Sequence, residues 1–377
     1  MKKLLVVCAA LALAGGCKKK AEEKPAPAPD PKMAETEKPK TPEPPPGPDP
    51  KVVERGAYLV KAGGCLVCHT AMGPQGPDLA NAGAGGLEMP DPIGTWRTPN
   101  ITPDKGTGIG NWTDVQIMAA IREGVRPDGK KLFPIMPYMN YNSMTDDDAK
   151  AVVAFLRSLK PVERTVAPNK DLKMAPMDAP KPANKAPGAD PVEQGGYMAS
   201  IMLCNHCHWT PNKEMTGPAG MDHMFSGGLP LEFPPMGKGT LFTANLTSDP
   251  DTGLGKWTEE QIYTTLKTMV RPDGRPIMGP MQILQAGWSQ LQDDDLKHVA
   301  AFIKKLPPVK NKVPKSTFVP NPPPPGAGGP PGVGGPPGAG AAAAGSGAKP
   351  AEMKKDDAKK DAKKDEKKAD EKKADKK

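Results

Sequence analysis

Two stretches, GGCLVCHT at 63–70 and IMLCNHCHWT at 201–210, each set a pair of cysteines two residues apart directly before a histidine. In such a C-x-x-C-H run both thiols can add to the vinyl groups along one edge of a porphyrin. The next residue then turns its imidazole under the ring, onto the iron. Cys65 and Cys68 would hold one covalent haem c with His69 as axial ligand. Cys204, Cys207 and His208 would hold a second. A lone C-x-x-C also serves redox dithiols and half-sites for zinc. Zinc favours pairs close together in the chain, and these are 139 residues apart. The chain has six cysteines; Cys8 and Cys17 lie at the extreme N-terminus, so the motifs account for the rest.

A c-type haem commonly takes a second axial ligand. Methionine raises its potential, histidine lowers it, and an open position admits chemistry. The chain has only five histidines but 20 methionines, so abundance selects nothing and register must. The glycine of each RPDG run, Gly129 or Gly274, is followed seven residues later by Met136 or Met281. These are the expected sixth ligands, with Met278 a neighbouring rival to Met281. Pro77 in GPDL and Pro218 in GPAG follow the two haem motifs, and their carbonyls are expected to accept a hydrogen bond from the ligand imidazole. Trp112 and Trp257 suit a haem edge or a propionate, and Arg126 and Arg271 suit propionates. Core residues and surface charges would leave the same pattern.

The elements that must position these groups occur twice. TPNITPDKGTGIGNWTDVQIMAAIREGVRPDGKKLFPIM (98–136) matches TANLTSDPDTGLGKWTEEQIYTTLKTMVRPDGRPIMGPM (243–281) at a constant offset of 145. A repeat of this size implies one fold used twice. In each copy a first helix, near 51–64 and from about 190, runs into the haem motif, with Tyr58 and Tyr197 in matching places. TDVQ and TEEQ open a middle helix as capping boxes, Thr113 with Gln116 and Thr258 with Gln261. A last helix starts at TDDD or QDDD. Val152, Phe155, Leu156 and Leu159 form its apolar face, matched by Val299, Phe302, Ile303 and Leu306. No alternating strand pattern stands out, so the expected class is all-α.

NITPDKGTGIGNWT together with FPIMPY resembles the class I cytochrome c domains of the cytochrome subunits of membrane-bound alcohol, gluconate and fructose dehydrogenases. NLTSDPDTGLGKWT is its slightly eroded copy. The resemblance implies two tandem cytochrome c-like domains, His/Met ligation, and electron transfer from a periplasmic dehydrogenase toward a quinone or oxidase. Those subunits usually carry three haem motifs, whereas this chain has two. The resemblance implies an electron carrier, not an enzyme, working between a redox-protein donor and acceptor. The alternatives are a diheme peroxidase-like enzyme and a haem-based ligand sensor, and both need one open coordination site.

Charge and composition set the remaining boundaries. The net charge is +8, yet residues 51–165 carry 13 basic and 12 acidic residues and 191–310 carry 10 and 12. The excess lies in the tails, which argues against nucleic acid as a partner. MKKLLVVCAALALAGGC (1–17) reads as an export signal with a lipobox-like end, making Cys17 the expected lipidation site. A lipid anchor on the periplasmic side, with the outer membrane weakly preferred, is therefore expected; a soluble periplasmic protein is the alternative. The expected boundaries are a Pro-rich tether at 18–50, haem domains at 51–165 and 191–310, a flexible linker at 166–190, and a disordered tail at 311–377.

Overall fold

The Asp49 carboxylate accepts from the Lys51 amide at 2.9 Å and Pro50 takes the first helical position, so a helix starts here: α1, Pro50–Ala62. Gly64 then turns into the left-handed region at φ 65°, and the one-turn helix α2 (Cys65–Cys68) follows. A Cβ at Gly64 would lie 2.6 Å from the tip of Leu284, which would have to move aside. The computed structural model describes residues 48–321, apart from 74–75, 91–93, 170–171, 174, 215–216 and 235. Beyond α2 come two antiparallel ribbons, β1 (Met72–Gly73) with β2 (Gly76–Pro77) and β3 (Glu88–Met89) with β4 (Trp96–Arg97). The helices α3 (Asp114–Glu123), α4 (Tyr138–Tyr141) and α5 (Asp146–Ser158) complete the first half.

The second half repeats the order of the helices, with differently paired ribbons. Asp190 and Pro191 open α6 (Pro191–Ile201), and Leu203, also at φ 65°, leads into α7 (Cys204–Cys207). The ribbons are β5 (Pro230–Glu232) with β7 (Thr240–Phe242), and β6 (Gly237–Lys238) with β8 (Val319–Pro320). Between β7 and β8 lie α8 (Glu259–Thr268), α9 (Pro280–Trp288) and α10 (Asp293–Lys305). The molecule is thus mainly helical, and the strands amend the all-α expectation. They escape a reading by alternation because each spans only two or three residues, several of them Gly or Pro.

Both capping boxes form: the Thr113 and Thr258 hydroxyls accept from the amides of Gln116 and Gln261, whose side chains accept in return. Three aspartates open α5 and three open α10, where the helix dipole favours negative charge. The first and last helices of each half cross at a glycine. A Cβ on Gly56 would lie 1.9 Å from the Ala151 carbonyl oxygen, and one on Gly195 would lie 1.9 Å from that of His298. Behind the crossings Leu59, Val60, Val152 and Leu156 form one core face, with Met198, Ala199, Val299 and Ile303 their counterparts.

The two halves meet face to face. Helix α4 lies on α6, and α9 lies on α1. Tyr58 donates to Asp295 across the interface, and Tyr197 donates to Asp148 at 2.6 Å in the opposite direction. The segment expected to be a flexible linker is tied down along the first half. The Tyr138 hydroxyl donates to the Met177 carbonyl at 2.9 Å, Asn142 to the Pro180 carbonyl at 2.7 Å, and the Asp146 amide to Asn184 at 2.6 Å. The expected disorder from 311 also needs correction. Asn311 donates to the Ser226 and Gly227 carbonyls, the Thr317 amide donates to the Thr240 carbonyl, and β8 closes a ribbon. Proline-rich composition hid both straps, since their bonds go to distant residues and leave no local period. The signal, Cys17, the tether up to 47 and the tail from 322 lie outside the described residues. Among the described residues no helix is long and apolar enough to cross a membrane.

Candidate functional site

His69 and His208 directly follow α2 and α7 and are only 8% exposed. The His69 Nδ1–H donates to the Pro99 carbonyl at 2.8 Å, and the His208 Nδ1–H donates to the Ala244 carbonyl at 2.8 Å. A carbonyl can only accept, so each bond places the proton on Nδ1 and leaves the Nε2 lone pair for a metal. Burial lowers both imidazole pKa values against the opposing pull of these bonds, which keeps the rings in the neutral, ligating form.

These acceptors correct the expectation for Pro77 and Pro218. Pro77 instead pairs with Met72 in the first ribbon, and Pro218 bridges to Pro211. The chain makes an excursion of 30 residues between His69 and Pro99, and of 36 between His208 and Ala244, before the acceptor returns to the ring. The glycine-proline pair nearest the motif was therefore the wrong cue. The residue after each true acceptor, Asn100 or Asn245, pins the returning strand. Asn100 donates to the Val162 carbonyl at 2.7 Å and to Thr107 at 3.0 Å, and accepts from the Thr102 amide at 2.9 Å. Asn245 does the same with Val309 at 2.8 Å, Thr252 at 3.2 Å and Thr247 at 3.0 Å. The only sequence signal for this role was the asparagine's recurrence in both copies.

Cys65, Cys68, Cys204 and Cys207 are all free thiols, so no disulfide competes for them. Burial pushes the Cys65 and Cys204 thiols up to about 12. Burial first, and the Cys68 thiol second, push Cys207 up to about 11. The carbonyls just ahead of the first motif have buried donors: Tyr141 donates to Gly63 at 2.6 Å, and Trp288, from the other half, to Ala62 at 3.0 Å.

Met136 lies two residues before α4 and Met281 in the first turn of α9; both are half-buried against the core. Met278 lies half-buried in the loop before α9. Trp112 and Trp257 also pack against the core. The Arg126 guanidinium stacks over Trp112 at 5.5 Å and pairs with Asp128 at 3.5 Å. Arg271 is half-buried, and burial lowers its pKa. Paired thiols, a neutral imidazole with an oriented lone pair and a thioether near the core are a donor set that fits haem c in each half.

Residues 53–160 match the model of the family described as Cytochrome c. The chain is 35% identical over 294 residues to the cytochrome c subunit of the quinone-type alcohol dehydrogenase of Gluconacetobacter polyoxogenes, covering 72% of this chain and 59% of that protein. It is 32% identical over 279 residues to the gluconate 2-dehydrogenase cytochrome c subunit of Pantoea cypripedii, covering 68% and 59%. A diheme cytochrome c-type protein of Cereibacter sphaeroides is 29% identical over 273 residues, covering 68% of this chain and 86% of that one. The chain thus spans about three fifths of the length of the dehydrogenase subunits.

Proposed function

We propose, from the premise that residues 53–160 are a cytochrome c domain in a relative of dehydrogenase cytochrome c subunits, that the chain is a diheme electron carrier. Residues 191–310 are read as a second domain of the same kind. The observation that carries this is the recurrence of one arrangement: a C-x-x-C-H turn whose histidine donates Nδ1–H to a returning carbonyl at 2.8 Å in both halves. Covalent haem c supplies a one-electron iron couple in each half.

The chain's own residues do the rest. Cys65 with Cys68, and Cys204 with Cys207, would each anchor one haem by thioether bonds. His69 and His208 offer Nε2 to the metal because Pro99 and Ala244 hold the other nitrogen. Met136 and Met281 are the proposed sixth ligands, and a thioether there favours a raised potential and a closed coordination sphere. Leu59, Ile117 and Ile121, with their counterparts Met198, Ile262 and Leu266, keep water from the interior. An electron enters from a redox protein, by analogy a dehydrogenase of the cell envelope, and leaves to an acceptor. Cys17 is the proposed lipid attachment point, which would hold the chain on the periplasmic face of a membrane.

A spectroelectrochemical titration that follows the methionine-to-ferric-iron charge-transfer band tests this reading. Two haems are expected at positive potential, each with the band and neither taking up carbon monoxide. Met136→Ala or Met281→Ala should each remove half of the band. A haem that lacks the band in the unaltered chain, titrates low or binds carbon monoxide would overturn the carrier reading for that half.

A further inference from the structure

The contacts across the interface are not spread evenly. Beside the tyrosine–aspartate pairs, a second group of contacts falls in or next to the haem attachment turns. Helix α4 of the first half begins two residues after Met136, and it lies on α6, which leads into the second attachment turn. Asn140 of α4 is 6% exposed. Its side-chain amide donates to Asn205 Oδ1 at 2.5 Å and to the Ser200 carbonyl at 3.4 Å. Asn205 lies inside the second C-x-x-C-H run, between Cys204 and Cys207. Ser200 Oγ donates back to the Asn140 carbonyl at 3.0 Å.

The second half answers in kind. Helix α9 carries Met281 in its first turn, and it lies on α1, which leads into the first attachment turn. Trp288 is 3% exposed, and its indole N–H donates to the Ala62 carbonyl at 3.0 Å. Gly287 brings the helix backbone so close to α1 that a Cβ there would meet the Lys61 carbonyl oxygen at 2.7 Å. Leu284 fills the space in front of Gly64, the residue that opens the first Cys turn.

The geometry points to reciprocal support: the helix after the candidate distal loop of one half positions the haem attachment turn of the other. Asn140 is therefore a positioning residue for the second haem, and Trp288 for the first. The physical reason is that an attachment turn is a single helical turn entered through a left-handed residue, and such a turn has little stability of its own. The buried amide and indole fix it from outside. Any movement of the turn changes how the proximal imidazole meets the iron, and so changes the potential.

This inference rests on the two-haem reading, and the test separates them. Haem is first counted per chain by its alkaline pyridine spectrum; fewer than two would overturn the proposed function itself. In the two-haem protein, ferric haem methyl resonances are assigned with the single-thioether variants Cys65→Ser and Cys204→Ser. Asn140→Ala should then shift the resonances and midpoint potential of the haem on Cys204 and Cys207, leaving the first haem unchanged. Trp288→Phe, which keeps the ring but loses the donor, should shift only the haem on Cys65 and Cys68. Should Asn140→Ala fail to fold, Asn140→Leu removes the same donor at similar volume without adding a charge and is read the same way. Shifts confined to the variant's own half, or equal in both haems, would overturn reciprocal support. So would the absence of any shift in a folded variant.

Discussion

Each candidate ligand histidine depends on one carbonyl, and each carbonyl depends on the asparagine that follows it. Asn100 is 4% exposed, and its bonds tie together three segments that otherwise share no regular structure. Asn100→Ala should destabilise the fold by about 2 kcal/mol, because it leaves the Val162 carbonyl and the Thr102 amide short of a partner. Urea unfolding followed by circular dichroism checks this, and Asn245→Ala should behave alike through Val309 and Thr247. The two C-x-x-C-H runs stand out in the sequence because the motif is local, and both candidate histidines meet a backbone carbonyl in the structure. Pro99 and Ala244 do not stand out, because their selection depends on how far the chain travels before it returns. The expectation that placed Pro77 and Pro218 there measured distance along the chain, whereas the hydrogen bond measures it in space.

The long helices were equally legible, since capping boxes, acidic first turns and apolar stripes are local signals that α3, α5, α8 and α10 obey. The short helices α4 and α9 were not, because four to nine residues display too few turns for a stripe. Nor did the sequence reveal the helix crossings. Gly56 and Gly195 are what let two backbones touch there. Gly195→Ala should destabilise by about 3 kcal/mol, since the obstacle is a backbone carbonyl that cannot swing aside. Gly196→Ala is the control: it meets only the Phe302 ring, at 3.1 Å, and should be far milder. Thermal unfolding of the two variants side by side gives the comparison. A Gly195→Ala protein as stable as the Gly196→Ala one would contradict the crossing geometry.

The repeat in the sequence predicts two copies of one architecture but says nothing of how they meet, because tyrosine and aspartate on a helix look like ordinary surface residues. In the structure Tyr197 reaches Asp148, which also holds Arg55 through two bonds of 2.8 Å. Burial, and then this donation to Asp148, push the Tyr197 hydroxyl up to about 12. Unfolded tyrosine ionises near pH 10, so between about pH 10 and 12 the folded chain keeps a proton that the unfolded chain has lost. Stability is therefore whole below that window and falls as pH rises through it. Tyr197→Phe should cost about 1 kcal/mol at neutral pH through the lost hydrogen bond, and its deficit against the unaltered chain should shrink as pH climbs above about 10. Urea titrations at a series of pH values read this directly. A deficit independent of pH would mean that the hydroxyl is not held as the interface shows.

The central claim is that one chain holds two haems in two like halves, and intact mass spectrometry of the acid-denatured mature protein tests it most directly. Thioether links survive unfolding, so the account predicts a mass excess of two haems. Cys65→Ser/Cys68→Ser and Cys204→Ser/Cys207→Ser should each remove one. An excess of a single haem, or none, in protein matured with haem available would contradict it.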